Sequence, residues 1–417
     1  MMPPCHQALL MTTYGYFLLS KAFDGVGLSP TAFDDWNSPK MSTKSLDLSE
    51  AVSYHTGAFP PTSLNYEAIL PALDEASGVL ARYDEKMRGM INSNLLLAPL
   101  MRLDAVASSR MENTISTVEE IYRFEAEEDA GTPDPYKEAR NDTVETVLYA
   151  RAMRATQHAL AEGQPISEHL IRSAHQVLLS YGRGARKKPG AFKSEQNYIG
   201  DERRGKIYYV PISPEQLSPA MEKLVDFIRN SQQRPLLKAA IAHVEFEALH
   251  PFADGNGRVG RMLITLMLWQ LGILSEPNFY LSGYFETHKE EYVWRMREVS
   301  SRGNWTDWII FFLTALAEQA RASIAKADAI LGLYNEMRER FRLVLKSQHH
   351  DQALDFVFGN LIFRNDRFVA KSGIPGASAR QLSRRLVEDG ILSTLEPSSG
   401  RRAALYAFDA LLELLEV

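Results

Sequence analysis

Apolar positions recur at three- and four-residue spacing along most of the chain, which predicts helix after helix with short breaks. From Tyr66 onward Ile69, Leu70, Leu73, Ala76, Val79, Leu80 and Tyr83 share one face, and Leu100, Leu103, Val106 and Ala107 mark a second helix over about 96–111. A third helix is predicted over 115–124, before an acidic, proline-containing loop at 125–135. Further helical runs cover 142–160, 166–179, 214–229 and 235–249. The pattern changes between Gly190 and Pro211, where Tyr198-Ile199-Gly200 and Lys206-Ile207-Tyr208-Tyr209-Val210 flank a polar, glycine-containing turn. That reads as a β-hairpin. Residues 262–274 are almost continuously apolar, as in a helix buried on every side. Helices follow at 289–299, 305–345 and 351–363. The last stretch predicts short helices at 369–374 and 379–388, then two strands at 391–392 and 404–406. This is the order of a winged helix-turn-helix. The expected fold is mainly α, with one small hairpin and a C-terminal winged helix.

Composition narrows this little. The 417 residues are 45% hydrophobic and 24% charged, so the chain is globular with length for two or three domains. A net charge of -6 excludes a surface given over wholly to nucleic acid or anionic lipid, but leaves a local basic patch open. The single Cys5 excludes an internal disulfide and a thiolate metal cluster, and a reducing cytoplasm is the expected location. No apolar run approaches the roughly 20 residues of a spanning helix, so no membrane contact is expected. Residues 1–45 are expected to be poorly organised, and Met41 fits a true start; a native mass beginning at Met1 or Met2 would exclude it.

The stretch His250-Pro-Phe-Ala-Asp-Gly-Asn-Gly-Arg-Val-Gly-Arg261 holds the densest chemistry. Gly255, Asn256 and Gly257 fit a loop whose N–H groups face an anion at a helix start. Arg258 and Arg261, three apart, share a helical face and can bracket a polyphosphate. Asp254 suits Mg²⁺ held jointly with phosphate oxygens. His250 can take a proton from a hydroxyl near neutrality. Together they describe transfer of a phosphorus group.

These residues carry a resemblance. Residues 250–261 match the Fic-domain signature H-P-F-x-D-G-N-G-R-x-x-R at all nine fixed positions. The likeness implies a helical Fic core and transfer of AMP from ATP to a Ser, Thr or Tyr hydroxyl of a target protein. In that role His250 would be the base and Asp254 the Mg²⁺ ligand. Asn256, Gly255 and Gly257 would form the anion hole, Arg258 and Arg261 the phosphate clamps, and Phe252 the loop anchor. Upstream, Ser108-x-x-x-Glu112-Asn113 resembles the family's inhibitory motif (S/T)-x-x-x-E-(G/N), which implies that Glu112 pairs with Arg261. The hairpin resembles the family flap, with Tyr198, Ile199, Gly200, Tyr208 and Tyr209 as target contacts. Boundaries follow: an N-terminal extension (1–45), a helical region with the inhibitory helix (46–130), the Fic core (131–320), a linking helix (321–350) and the winged helix (351–417).

Other readings stand beside these. Gly255-x-Gly257-x-x-Gly260 also fits a dinucleotide fingerprint, but a helix and not a strand precedes it. His243, Glu247 and His250 share a helical face as zinc ligands would, although a satisfied structural trio is favoured. The flap tyrosines serve hairpin packing equally well. Arg380, Arg384, Arg385, Arg401 and Arg402 suit DNA phosphates or a protein or dimer surface. Removal of AMP at the same site, and a DNA-binding regulator with a nucleotide-sensing core, remain alternative functions.

Overall fold

The computed structural model describes residues 15–18, 47–90, 92–131, 134–201 and 204–416. The expectations for 1–14 and 19–46, Met41 included, lie outside the described residues. Strands β1 (Gly15–Leu18) and β2 (Val52–Ser53) precede α1 (Tyr66–Gly89), α2 (Ser93–Met111), α3 (Val118–Asp129) and α4 (Pro135–Glu138). The sequence places α3 too early. Its start is set by a capping box: Thr117 Oγ1 accepts from Glu120 N–H while Glu120 accepts from Thr117 N–H. The helix then runs on to Asp129, into the first half of the acidic stretch read as loop.

The centre comprises α5 (Asn141–Ala161), α6 (Glu168–Leu178), the hairpin β3 (Asn197–Asp201) and β4 (Lys206–Val210), α7 (Pro214–Asn230), α8 (Pro235–Leu249) and α9 (Asn256–Gln270), followed by α10 (Ser282–Thr287), α11 (Lys289–Arg302) and α12 (Trp305–Leu345). Nearly every residue of α8 and α9 is buried, so this antiparallel pair forms the axis on which the other helices pack. Long α12 lies along α1 and α8. By length and composition α12 could cross a membrane, contrary to the sequence expectation, but half of its apolar stretch is buried inside the protein.

The hairpin is not isolated as predicted. It is the middle of a four-stranded sheet in the order β1-β3-β4-β2. Strand β1 pairs antiparallel with β3, Tyr16 opposite Ile199, and β2 runs parallel to β4.

At the C-terminus, α13 (His350–Gly359), β5 (Ile362–Arg364), α14 (Asn365–Lys371), α15 (Gly376–Glu388), β6 (Ser393–Glu396), β7 (Leu405–Ala407) and α16 (Asp409–Glu416) follow; β5 overlaps the end of a stretch predicted as helix, while the two helices and two strands after it keep the predicted order. Their antiparallel sheet has the order β5-β7-β6. Arg364, with a side chain only 2% exposed, ties it to α3 by pairing with Glu127, and also pairs with Glu396 of β6. The basic surface is narrower than the sequence suggests. Arg402 also pairs with Glu127, and Arg385 donates to Leu345 O, leaving Arg380, Arg384 and Arg401 as the exposed arginines of the group without such ties among the described residues.

Candidate active site

The site is built on a sharp turn between the two central helices. His250 ends α8 with φ 48° and ψ 61°, and Gly255 precedes α9 with φ 77°. Both are left-handed conformations, uncommon for a residue with a side chain. Bracing holds them. Asn256 accepts from Phe252 N–H at 2.7 Å and donates to Phe252 O at 2.8 Å. Phe252 is fully buried and stacks on His175 with ring centroids 3.8 Å apart. Gly190 N–H donates to His175 Nδ1, so Nε2–H of the same ring donates to Asp254 O at 2.9 Å. From the other side, Asn197 Nδ2 donates to His250 O and Phe252 O, each at 3.0 Å. Lys193 Nζ donates to Asn197 Oδ1 and Leu249 O. Asn197 opens β3, so the hairpin and the loop form one braced body.

The loop presents positive potential. No side chain caps α9, which leaves its first-turn N–H groups and the helix dipole to an anion. Asn256 spends its side chain on the loop, so its contribution to that site is shape. Arg258 lies 3.3 Å from Glu145 and 3.7 Å from Asp254, and its Nε is buried without a hydrogen-bond partner among the described residues. Asp254 is partly exposed beside the loop. A single carboxylate there fits Mg²⁺ shared with phosphate oxygens. His250 is buried, and burial with help from Lys193 pushes its pKa down to about 3. The imidazole is therefore neutral at physiological pH, the form that accepts a proton.

Arg261 is already occupied. It donates to Ser108 Oγ at 2.8 Å, Ser108 O at 2.9 Å and Glu112 Oε1 at 2.7 Å. Each position of the upstream motif thus serves a physical purpose. Ser108 and Glu112 take the guanidinium, and Asn113 adopts φ 61°, a left-handed turn that favours Gly or Asn. Glu112, His250, Arg261, Ile199, Tyr208 and Tyr209 line one cavity, so the hairpin walls it. Tyr198 is not among the lining residues. At Gly200 any Cβ would collide with the β4 backbone at Lys206.

The Fic/DOC family profile matches residues 165–268, and the Fic/DOC family N-terminal profile matches residues 70–158. The chain carries a Fic domain over residues 165–268. A Fic family protein from Desulfovibrio desulfuricans G20 shares the fold at TM-score 0.51 and 20% identity, over 84% of this chain and 98% of that one. Protein adenylyltransferase fic-1 of Caenorhabditis elegans is 31% identical over 114 residues, 27% of this chain and 21% of its own. Protein adenylyltransferase Fic of Drosophila willistoni is 35% identical over 86 residues, 20% of this chain and 16% of its own. The chain thus spans about a fifth of the length of these curated relatives.

Several residues of the Fic site escaped sequence reading. His175, Lys193, Asn197 and Glu145 come from distant elements and carry no local pattern; Lys289, whose Nζ donates to Met111 O at the end of α2, and Tyr292 do so too. The zinc reading fails. Both ring nitrogens of His243 are engaged, by Gly260 O and Tyr292 Oη, and no metal-holding group of three His, Cys, Asp or Glu exists among the described residues.

Two predictions concern this bracing. Asn197→Ala leaves two buried carbonyls and Lys193 short of partners, so unfolding stability should fall by about 1–3 kcal/mol. An unchanged urea midpoint would remove Asn197 from the bracing role. The second is acid sensitivity. Burial pushes His175 down to about 4, and His243 and His250 down to about 3. Below about pH 6.5 the unfolded chain binds protons that these folded imidazoles refuse, so stability falls as pH drops toward 4, by up to about 2 kcal/mol per histidine at pH 5. Glu247, pushed up to about 8, opposes this between its unfolded and folded values. Equal urea midpoints at about pH 7 and pH 5 would contradict the histidine contribution.

Proposed function

We propose that the protein transfers AMP from ATP to a hydroxyl of a target protein and that Glu112 restrains it. The observation that carries this reading is the meeting of His250 and Arg261 in one cavity, with Glu112 seated on the arginine. His250 takes the proton of a Ser, Thr or Tyr hydroxyl, the oxygen bonds to the α-phosphorus, and the bond to the β-phosphate oxygen breaks to release pyrophosphate. The α9 N-terminus, Arg258 and Arg261 hold the phosphates. Asp254 would hold Mg²⁺, which neutralises phosphate charge when bound. A target segment would pair antiparallel with β3 in the place that β1 takes in the sheet.

A second reading uses the same groups. Glu112 shares the cavity with His250, a placement that also fits a carboxylate orienting water to remove AMP. Incubating lysate with the Glu112→Gly protein and ATP radioactive at the α-phosphate separates them. Label on proteins supports transfer. No label with Glu112→Gly, together with AMP release from a modified protein by the unaltered chain, reverses the assignment.

A further inference from the structure

One acidic side chain in the cavity is unused by these roles. Glu247 lies one turn before His250 on α8 and lines the same cavity as Glu112, Arg261, Lys289 and Tyr292. Its Oε1 is buried with no hydrogen-bond partner among the described residues, a costly arrangement that packing alone does not require. Gly260 makes the room: a Cβ there would overlap Glu247 Oε1. The third glycine of the would-be dinucleotide fingerprint is thus the seat of a carboxyl.

We propose that Glu247 is a second carboxyl for Arg261. It stays protonated while Glu112 is seated, ionises when Glu112 leaves, and gives the arginine up to the terminal phosphate of a nucleotide with uptake of one proton. The inference rests on the nucleotide reading above. An arginine in a cavity with two carboxyls cannot be shared equally, because burying both anions against one cation leaves an uncompensated charge.

The surroundings agree. Burial raises Glu247 to about 8, Arg261 works against the rise, and Glu112 adds to it; removing Glu112 therefore brings Glu247 down toward neutrality. The other groups facing it are Glu112 from the end of α2, Arg261 from α9, His243 and His250 from α8, and Lys289 and Tyr292 from α11. Both histidines are pushed down to about 3, and burial with Glu247 raises Tyr292 far above its ordinary value, so all three stay neutral. Lys289 is lowered by burial and supported by Glu112, so it responds to loss of Glu112 in the same sense as Glu247. A substitution at Glu247 separates the two.

The test compares Glu112→Gly with Glu112→Gly/Glu247→Gln in binding a non-hydrolysable ATP analogue between about pH 6 and pH 9, the range in which a raised carboxyl titrates. The single variant should bind more weakly as pH rises, by up to about tenfold per pH unit for one proton. The amide of the double variant is permanently neutral and should remove that component, the ligand's own titration being common to both. Calorimetry of the single variant alone, in buffers of different ionisation heat, should show net proton uptake near about pH 8. Identical pH slopes, or binding without proton uptake, would overturn the proposal for Glu247 while leaving nucleotide binding intact. No binding by either variant at any pH would overturn the nucleotide reading and this inference with it.

Discussion

Glu112→Gly should raise AMP transfer by roughly 10–100-fold. Arg261 is the group at stake: its side chain is 3% exposed, that of Glu112 is 9% exposed, and the two meet at 2.7 Å. A charge-assisted hydrogen bond in such a setting contributes about 1.5–3 kcal/mol, and each 1.4 kcal/mol corresponds to about tenfold in an equilibrium. In the proposed function a nucleotide's terminal phosphate would displace that carboxylate, so the bond would act directly against ligand seating. Glycine suits the position because Glu112 ends α2 at φ -95° and carries no other backbone demand. Ser108 still holds the other side of the guanidinium, which keeps Arg261 in place after the substitution. Nucleotide affinity, measured by calorimetry, and label transferred from ATP should rise together. If both match the unaltered chain, Glu112 is a structural carboxylate and the restraint lies elsewhere.

The sequence showed the ends of this interaction but not its frame. Residues 250–261 are local: a helix end, a tight loop and a helix start lie within a dozen positions, so the turn between α8 and α9 was legible. Ser108, Glu112 and Asn113 were legible only through family likeness, because nothing in α2 announces a partner about 150 residues away. His175, Lys193 and Asn197 were invisible for the same reason. Each acts by side-chain hydrogen bonds across long sequence separations, where periodicity carries no information. The helices of the core were read well because their apolar faces are continuous. The start of α3 was missed although Thr117 and Glu120 spell a capping box, since the apolar period extends past the cap and masks it. The strands β1 and β2 are too short to give any period at all.

His250→Ala in the Glu112→Gly background should lower AMP transfer by roughly 10²–10⁴-fold, the range for loss of a positioned base, while nucleotide affinity changes little. The separation follows from where the groups sit. In the proposed reaction Arg258, Arg261 and the start of α9 would hold the phosphates, and His250 would act at the hydroxyl. The backbone of His250 is another matter. Its carbonyl accepts from Asn197, and its φ of 48° strains an alanine by about 1–2 kcal/mol. Loss of activity in the alanine variant alone would therefore mix chemistry with loop distortion. His250→Asn resolves this, because asparagine enters the left-handed region more readily and is a far poorer proton acceptor. Both variants should bind the ATP analogue within a few-fold of the parent and both should fail to transfer label. Transfer retained by His250→Asn would show that the hydroxyl is deprotonated by another group. Transfer lost together with nucleotide binding would place His250 in the ligand site and not at the reacting hydroxyl.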